Sequence, residues 1–242
     1  MTTDATSFTV GGLHVSVVRK PIKNLHLGVY PPDGRVRVAA PVAVSDAAVR
    51  VAVIGRLRWI KQKQAGFEGQ SRESAREMTS GESHFYRGRR YRLQVVESDG
   101  PPRVELRGHT AIVLHVHAGW TTEDRERLLQ RWYRDRLREI VSPLLTRWQD
   151  DLGVEVRAWG IKRMKTKWGS CNPKARRVWL NLELIKKPPA CLEYVLVHEL
   201  THLVVAKHDD RFLRLMDHHL PTWRGRRAEL NATPLAKEAW GC

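Results

Sequence analysis

Along the first forty positions apolar residues alternate with polar ones in the manner of half-buried strands. Phe8, Val10, Leu13, Val15 and Val17 form one set; Leu25, Leu27 and Val29, then Val36 and Val38, form others. Gly11-Gly12 and Pro31-Pro32-Asp33-Gly34 mark the turns, because glycine and proline supply the backbone angles that tight reversals need. The pattern predicts an antiparallel sheet ending near residue 44. From there the period becomes helical. Ser45 reads as an N-cap, and Ala48, Val49, Val53, Ile54, Leu57 and Ile60 carry the apolar stripe of a helix reaching about Gln64. Ser71 to Glu82 is polar and unpatterned, which predicts a loop. Short strands follow over 84–96, 103–107 and 111–117, separated by Pro101-Pro102 and Arg107-Gly108.

A long helix is expected from Thr122 to Leu152, its apolar face built from Leu128, Leu129, Trp132, Leu137, Ile140, Leu144, Leu145 and Trp148. Pro143 lies inside it and is expected to kink or divide it. A row of arginines (125, 127, 131, 134, 136 and 138) faces the other way. Acidic residues interleave with the row, which therefore reads as a solvated face with local pairs. Beyond it, 154–163 and 177–184 read as strands, and Pro188-Pro189 opens a helix where proline is tolerated. No sequence repeat is visible. The reading is an α+β chain with a β-rich region over 1–120 and a catalytic domain over 121–242, the two tightly associated or forming one structural unit.

The helix opened by Pro189 contains His198-Glu199-Leu200-Thr201-His202. A spacing of four puts both histidines on one helical face, close enough to share an ion. Imidazole suits zinc, and two neutral histidines leave room for a third protein ligand and a water. Glu199 stands about 100° round the helix, where a carboxylate reaches that water without taking a metal position. His208 follows after five intervening residues, enough for the helix to end and the chain to turn back, and is the expected third ligand. Tyr194, one turn before His198, is expected either in the core or lining the cleft. His115 with His117, and His218 with His219, have no third donor at a sensible spacing and read as structural or surface residues.

Composition changes this picture little, and charge changes it more. Three cysteines are too few and too scattered for a disulfide framework and suit a reducing, cytoplasmic setting. The N-terminal stretch has no apolar signal region, and no segment has the length of apolar residues that a membrane span needs. Lys plus Arg number 42 against 26 Asp plus Glu, a formal charge of +16 that reads either as a solvated basic surface or as attraction to nucleic acid, anionic membrane surfaces or acidic protein partners.

Three segments carry a resemblance: Arg163-Met164-Lys165-Thr166-Lys167-Trp168-Gly169-Ser170-Cys171, then Leu180-Asn181-Leu182-Glu183-Leu184, then Tyr194 through Leu203 with His208 and Phe212. Together they closely resemble the YgjP-like metallopeptidases, relatives of the SprT-like proteins within the zincin group. The likeness is densest over about residues 155–225, and Tyr86-Arg87-Gly88-Arg89-Arg90-Tyr91 resembles the usual accompaniment upstream. It implies a zincin-like catalytic domain whose HExxH helix packs on a small antiparallel or mixed sheet. It also implies zinc held by His198, His202 and His208, with Glu199 as the base. The strand from Arg177 precedes the helix as a zincin edge strand does, so Leu180, Asn181 and Leu182 are expected to hold an extended peptide. One departure is Phe212-Leu213, where many relatives carry an aromatic pair; it touches packing beside the third histidine, not the ligand set.

The leading expectation is a zinc-dependent peptidase acting on proteins or peptides. The alternative is a nucleic-acid-associated zinc protein, SprT-like, acting on or binding DNA-bound proteins. A purely structural site closes with four protein ligands and has no use for Glu199, and no fourth ligand is evident in the sequence. A third reading, hydrolysis of a non-peptide amide, requires the same metal site. The Trp168-Gly169-Ser170-Cys171 segment offers a serine and a cysteine but no base to activate either, and packing beside the zinc helix is the expected role.

Overall fold

The Gly11-Gly12 pair closes the first hairpin. Both residues sit at positive φ, 56° and 77°, the backbone of a two-residue turn whose twist matches the strands it joins. The turn pairs β1 (Ala5–Val10) antiparallel with β2 (Leu13–Lys20). The structure, a computed structural model, describes residues 5–30, 34–68, 77–164 and 167–232. The expected turn at Pro31–Asp33, the first part of the expected loop (71–76), and Lys165-Thr166 lie outside the described residues. The chain divides into two compact units, one within residues 1–75 and the other within 76–236.

In the first unit β3 (His26–Tyr30) and β4 (Arg35–Pro41) form a second hairpin, and the strand order is β1-β2-β4-β3. β2 and β4 run parallel, so the sheet is mixed, not purely antiparallel as expected. The two hairpins meet through their second strands, which point the same way; alternation of side chains does not encode that choice. Val15, Val17, Val36 and Val38 face Val49, Val53 and Ile60. The expected helix is broken into α1 (Asp46–Ile54) and α2 (Leu57–Glu68) at Gly55, whose N–H bonds back to Val51. Ser45 caps α1, its hydroxyl accepting from the Ala48 N–H at 3.3 Å.

The second unit begins with β5 (Ser83–Tyr86), β6 (Arg89–Glu97), β7 (Arg103–Arg107) and β8 (Ala111–Val116), in the order β5-β6-β8-β7. Strand directions repeat those of the first sheet, a likeness of topology that the sequence does not display. The expected boundary between residues 120 and 121 falls inside this unit, between β8 and α3 (Thr122–Leu152). The physical reason is a shared core: Tyr91, Leu93, Ile112 and Leu114 belong to the same apolar cluster as Leu129, Tyr133 and Leu137 of α3.

α3 starts on a capping box, Thr121 with Asp124, and runs as one element through Pro143 to Gly153, which ends it at φ 62°. Its buried face is Leu128, Leu129, Tyr133, Leu137, Val141, Leu145 and Trp148. Tyr133 and Val141 occupy its centre, while Trp132, Ile140 and Leu144 lie at its margin. Members of the arginine row find local carboxylates, Arg127 on Asp124 and Arg136 on Glu139.

Three short strands follow: β9 (Ala158–Lys162), β10 (Gly169–Asn172) and β11 (Arg177–Asn181). β11 is central, parallel to β9 and antiparallel to β10. The strand expected to reach Leu184 stops at Asn181, because that side chain accepts from the Glu183 N–H (3.2 Å) and caps a 3-10 helix over Leu182–Lys186. Then come α4 (Pro189–Thr201), α5 (Asp210–His219) and α6 (Trp223–Ala232). The start of α4 is fixed from a distance. The turn between β5 and β6 donates the Arg87 and Gly88 N–H groups to the Ile185 and Lys186 carbonyls, at 2.8 and 3.1 Å, and Gly88 rests against Pro188. Glu193 of α4 is held by Arg147 and by the Trp148 indole N–H (3.0 Å), both on α3. No helix among the described residues is long and apolar enough to cross a membrane.

Candidate metal centre

α4 is buried on nearly every side, which its sequence permits because Leu192, Val195, Leu196, Val197 and Leu200 surround it with apolar contacts. Only its C-terminal turn opens outward. His198 lies on the last full turn and His202 is the C-cap, half-buried like His198. The chain then tightens, with Leu203, Val204 and Val205 donating back to Leu200 and Thr201. It returns to place His208 immediately before α5. Asp209 caps α5 through the Arg211 and Phe212 N–H groups, both at 3.1 Å, and this cap sets the position of the neighbouring His208.

The three rings converge. One donor atom from each of His198, His202 and His208 lies within 4.8 Å of the others, and the centroids are 4.9, 4.9 and 4.6 Å apart. Among the described residues no other cluster of this kind forms. Phe212, fully buried, touches all three rings at 4.8–5.0 Å and backs the triad.

Do these residues fit a cation? The His202 Nδ1 lies 3.1 Å from the Val205 carbonyl, which can only accept, so Nδ1 carries the proton and Nε2 presents a lone pair. The Nε2 atoms of His198 and His208 face one another at 3.0 Å. Burial pushes the His198 ring down to about 3, with His202, His208 and Arg227 adding to it; burial also lowers His202. Near neutral pH both rings are therefore uncharged, as metal ligands must be. Neutral nitrogens aimed at one point suit a borderline-soft divalent ion, and the donor set fits.

Glu199 turns the other way, against β10. Burial pushes its carboxyl up to about 7, opposed by Lys167 and by the Cys171 backbone N–H that it accepts. The approach is close enough that a Cβ on Gly169 would lie 2.6 Å from the Glu199 Oε1. Here a glycine is required by space alone. Burial also pushes the Cys171 thiol up to about 11, so it stays protonated, and this segment contributes a backbone donor, not a nucleophile.

A cleft of about 280 Å³ opens over His198 and Glu199, with Lys167, Tyr194 and Arg227 in its walls. Tyr194 is both buried and part of the cleft wall. Its ring stacks on Trp223 at 6.3 Å and meets His198 edge-on at 5.8 Å, while it lines the cleft. The expected peptide-holding residues Leu180, Asn181 and Leu182 are placed differently. All three are buried, and β11 already spends both its edges on β9 and β10, leaving no backbone for a substrate. Asn181 instead donates to the Met164 and Lys167 carbonyls ahead of β10, each at 2.8 Å. The edge strand beside the site is β10. α6 supplies residues that the sequence reading left out, Arg227, Leu230 and Asn231. Their signal was present: with Trp223 they recur at i, i+4, i+7 and i+8, one face of a helix.

The family described as YgjP-like, metallopeptidase domain, matches residues 23–233. The chain belongs to the YgjP-like metallopeptidase family. No curated protein matches it. Among solved structures it is similar to the metallopeptidase zymogen of Pyrococcus abyssi abylysin, at 22% identity over 38% of this chain and 92% of that chain, with a TM-score of 0.36. As a YgjP-like metallopeptidase it is a metal-dependent hydrolase of proteins or peptides, and His198, His202 and His208 are where its described residues offer a metal three donors.

Proposed function

We propose that this YgjP-like metallopeptidase is a zinc enzyme of zincin type, with His198, His202 and His208 as ligands and Glu199 as general base. The observation that carries the reading is three imidazoles meeting at one point beside a single buried carboxyl. When bound, zinc supplies Lewis acidity, drawing electron density from the scissile carbonyl and lowering the pKa of a water.

The rest falls to the chain. Glu199 accepts the proton that the attacking water loses and delivers it to the amine nitrogen as the peptide bond breaks, so the carboxylate ends the cycle as it began. Its raised pKa makes it a stronger base than an exposed glutamate, and the Cys171 N–H fixes its direction. An extended peptide adds to the free edge of β10, where its backbone finds partners that β11 cannot give. The nucleic-acid-associated alternative draws on the charge of +16, yet in the arginine row of α3 Arg127 and Arg136 pair with carboxylates of their own helix.

Metal content and turnover of unfolded casein, compared between wild type and Glu199→Gln, test the assignment. The variant is expected to keep one zinc per chain and lose about 10²–10⁴-fold in turnover, the range a positioned base supplies. Equal activity in both proteins rules out Glu199 as the base.

A further inference from the structure

Two cations, Lys167 and Arg227, line the catalytic cleft, where the one carboxyl in the lining is Glu199. Of the three arginines on α6, Arg224 is bonded to Asp217 and Arg226 lies 3.4 Å from Glu229, while Arg227 turns into the cleft. Among the described residues neither Arg227 nor Lys167, at the head of β10, has an ion-pair partner. Lys167 is also not loosely placed. Asn181 is fully buried and donates 2.8 Å bonds to both the Met164 and Lys167 carbonyls, which fixes the backbone at Lys167. The nearby carboxyl of Glu199 is held by the Cys171 N–H. Two cations line one small cleft against a single chain carboxyl, Glu199, and this excess of positive charge makes a local field that an incoming carboxylate relieves.

We propose that Lys167 and Arg227 form a carboxylate-binding subsite beside the scissile bond, so that preferred substrates carry an aspartate or glutamate there. The inference deepens the peptidase reading above and rests on it. Arginine suits the role because its planar fork takes a carboxylate through two parallel bonds, and lysine adds a point charge.

The test separates binding from turnover. Fluorescence anisotropy measures two labelled twelve-residue peptides, neutral except for one central Glu in the first and Gln in the second, on zinc-loaded Glu199→Gln protein at low salt. The Glu peptide is expected to bind about tenfold or more tighter, the margin of a charge-assisted hydrogen bond, and the margin should shrink as salt rises. Lys167→Met and Arg227→Met should each reduce the preference while leaving the Gln peptide and the zinc stoichiometry unchanged. Arg227→Glu should reverse the preference toward a peptide with central Lys. Equal binding of the pair, binding of neither, or an acid preference that survives both methionine substitutions overturns the subsite. If both Met variants lose affinity for the Glu and Gln peptides alike, these side chains serve binding in general and the subsite is also overturned. Cleavage of both peptides by wild type distinguishes the two levels. Equal turnover keeps the peptidase and removes the subsite; selective binding without any turnover keeps the subsite and removes the peptidase.

Discussion

Gly169 shows how one missing side chain places another. The Glu199 carboxyl reaches the Cys171 N–H only because nothing projects from position 169, where a Cβ would sit 2.6 Å from Oε1 and 2.7 Å from Cγ. Both are too close to be absorbed without moving the glutamate. Gly169→Ala is therefore expected to lower casein turnover by about 10²-fold, the scale of a misplaced catalytic group, while zinc binding and folding survive. Metal content and turnover measured on one preparation check this; unchanged turnover would mean the glutamate's seat does not matter. At this scale the sequence was informative about which side chains can meet and less so about their supports. His198, Glu199, His202 and His208 were readable because helical spacing and chain length decide whether such groups can meet. Neither the contact of Gly169 with Glu199 nor that of Phe212 with all three rings has a spacing to announce it, since each joins segments far apart or turned back on themselves.

Among elements, the turn between β5 and β6 does more than reverse the chain. Arg87 and Gly88 lie at φ 50° and 78°, and their N–H groups tie the 3-10 helix ahead of α4. Gly88→Ala asks an L side chain to hold a left-handed conformation and sets a Cβ 3.0 Å from Pro188. The expected loss is about 1–2 kcal/mol from backbone strain alone. It should appear in thermal unfolding, accompanied by weaker zinc affinity because α4 starts from this anchor. A stability loss with zinc affinity intact would separate the turn from the site. Strand existence was largely legible from alternation, but pairing direction and strand order were not, so β2 against β4 and the central place of β11 emerge only from the fold. The same gap explains why a peptide was expected along β11 and finds its free edge at β10. α6 is faint in the sequence because its apolar content is low, although Trp223, Arg227 and Leu230 keep helical register.

For the whole molecule, the candidate site is assembled from parts that only the second unit's common core brings together: α4 carries His198, Glu199 and, at its C-cap, His202, the turn before α5 carries His208, β10 backs the Glu199 carboxyl, and α6 forms a wall. Because the triad exists in the folded chain and not in the unfolded one, metal binding is linked to stability. A strong chelator should abolish proteolysis and lower the thermal midpoint. Returning zinc at a thousandfold excess over its dissociation constant should restore about 4 kcal/mol. Activity that persists in chelator with no metal in the protein would contradict a metal-dependent reaction.

The central claim is that His198, His202 and His208 are the protein's ligands to one zinc ion, and X-ray absorption at the zinc edge of the loaded protein addresses it most directly. Three imidazole nitrogens at about 2.0–2.1 Å, with intensity falling to two in His208→Ala, is the predicted result. Sulfur in the coordination shell, or a spectrum unchanged by that substitution, would contradict it.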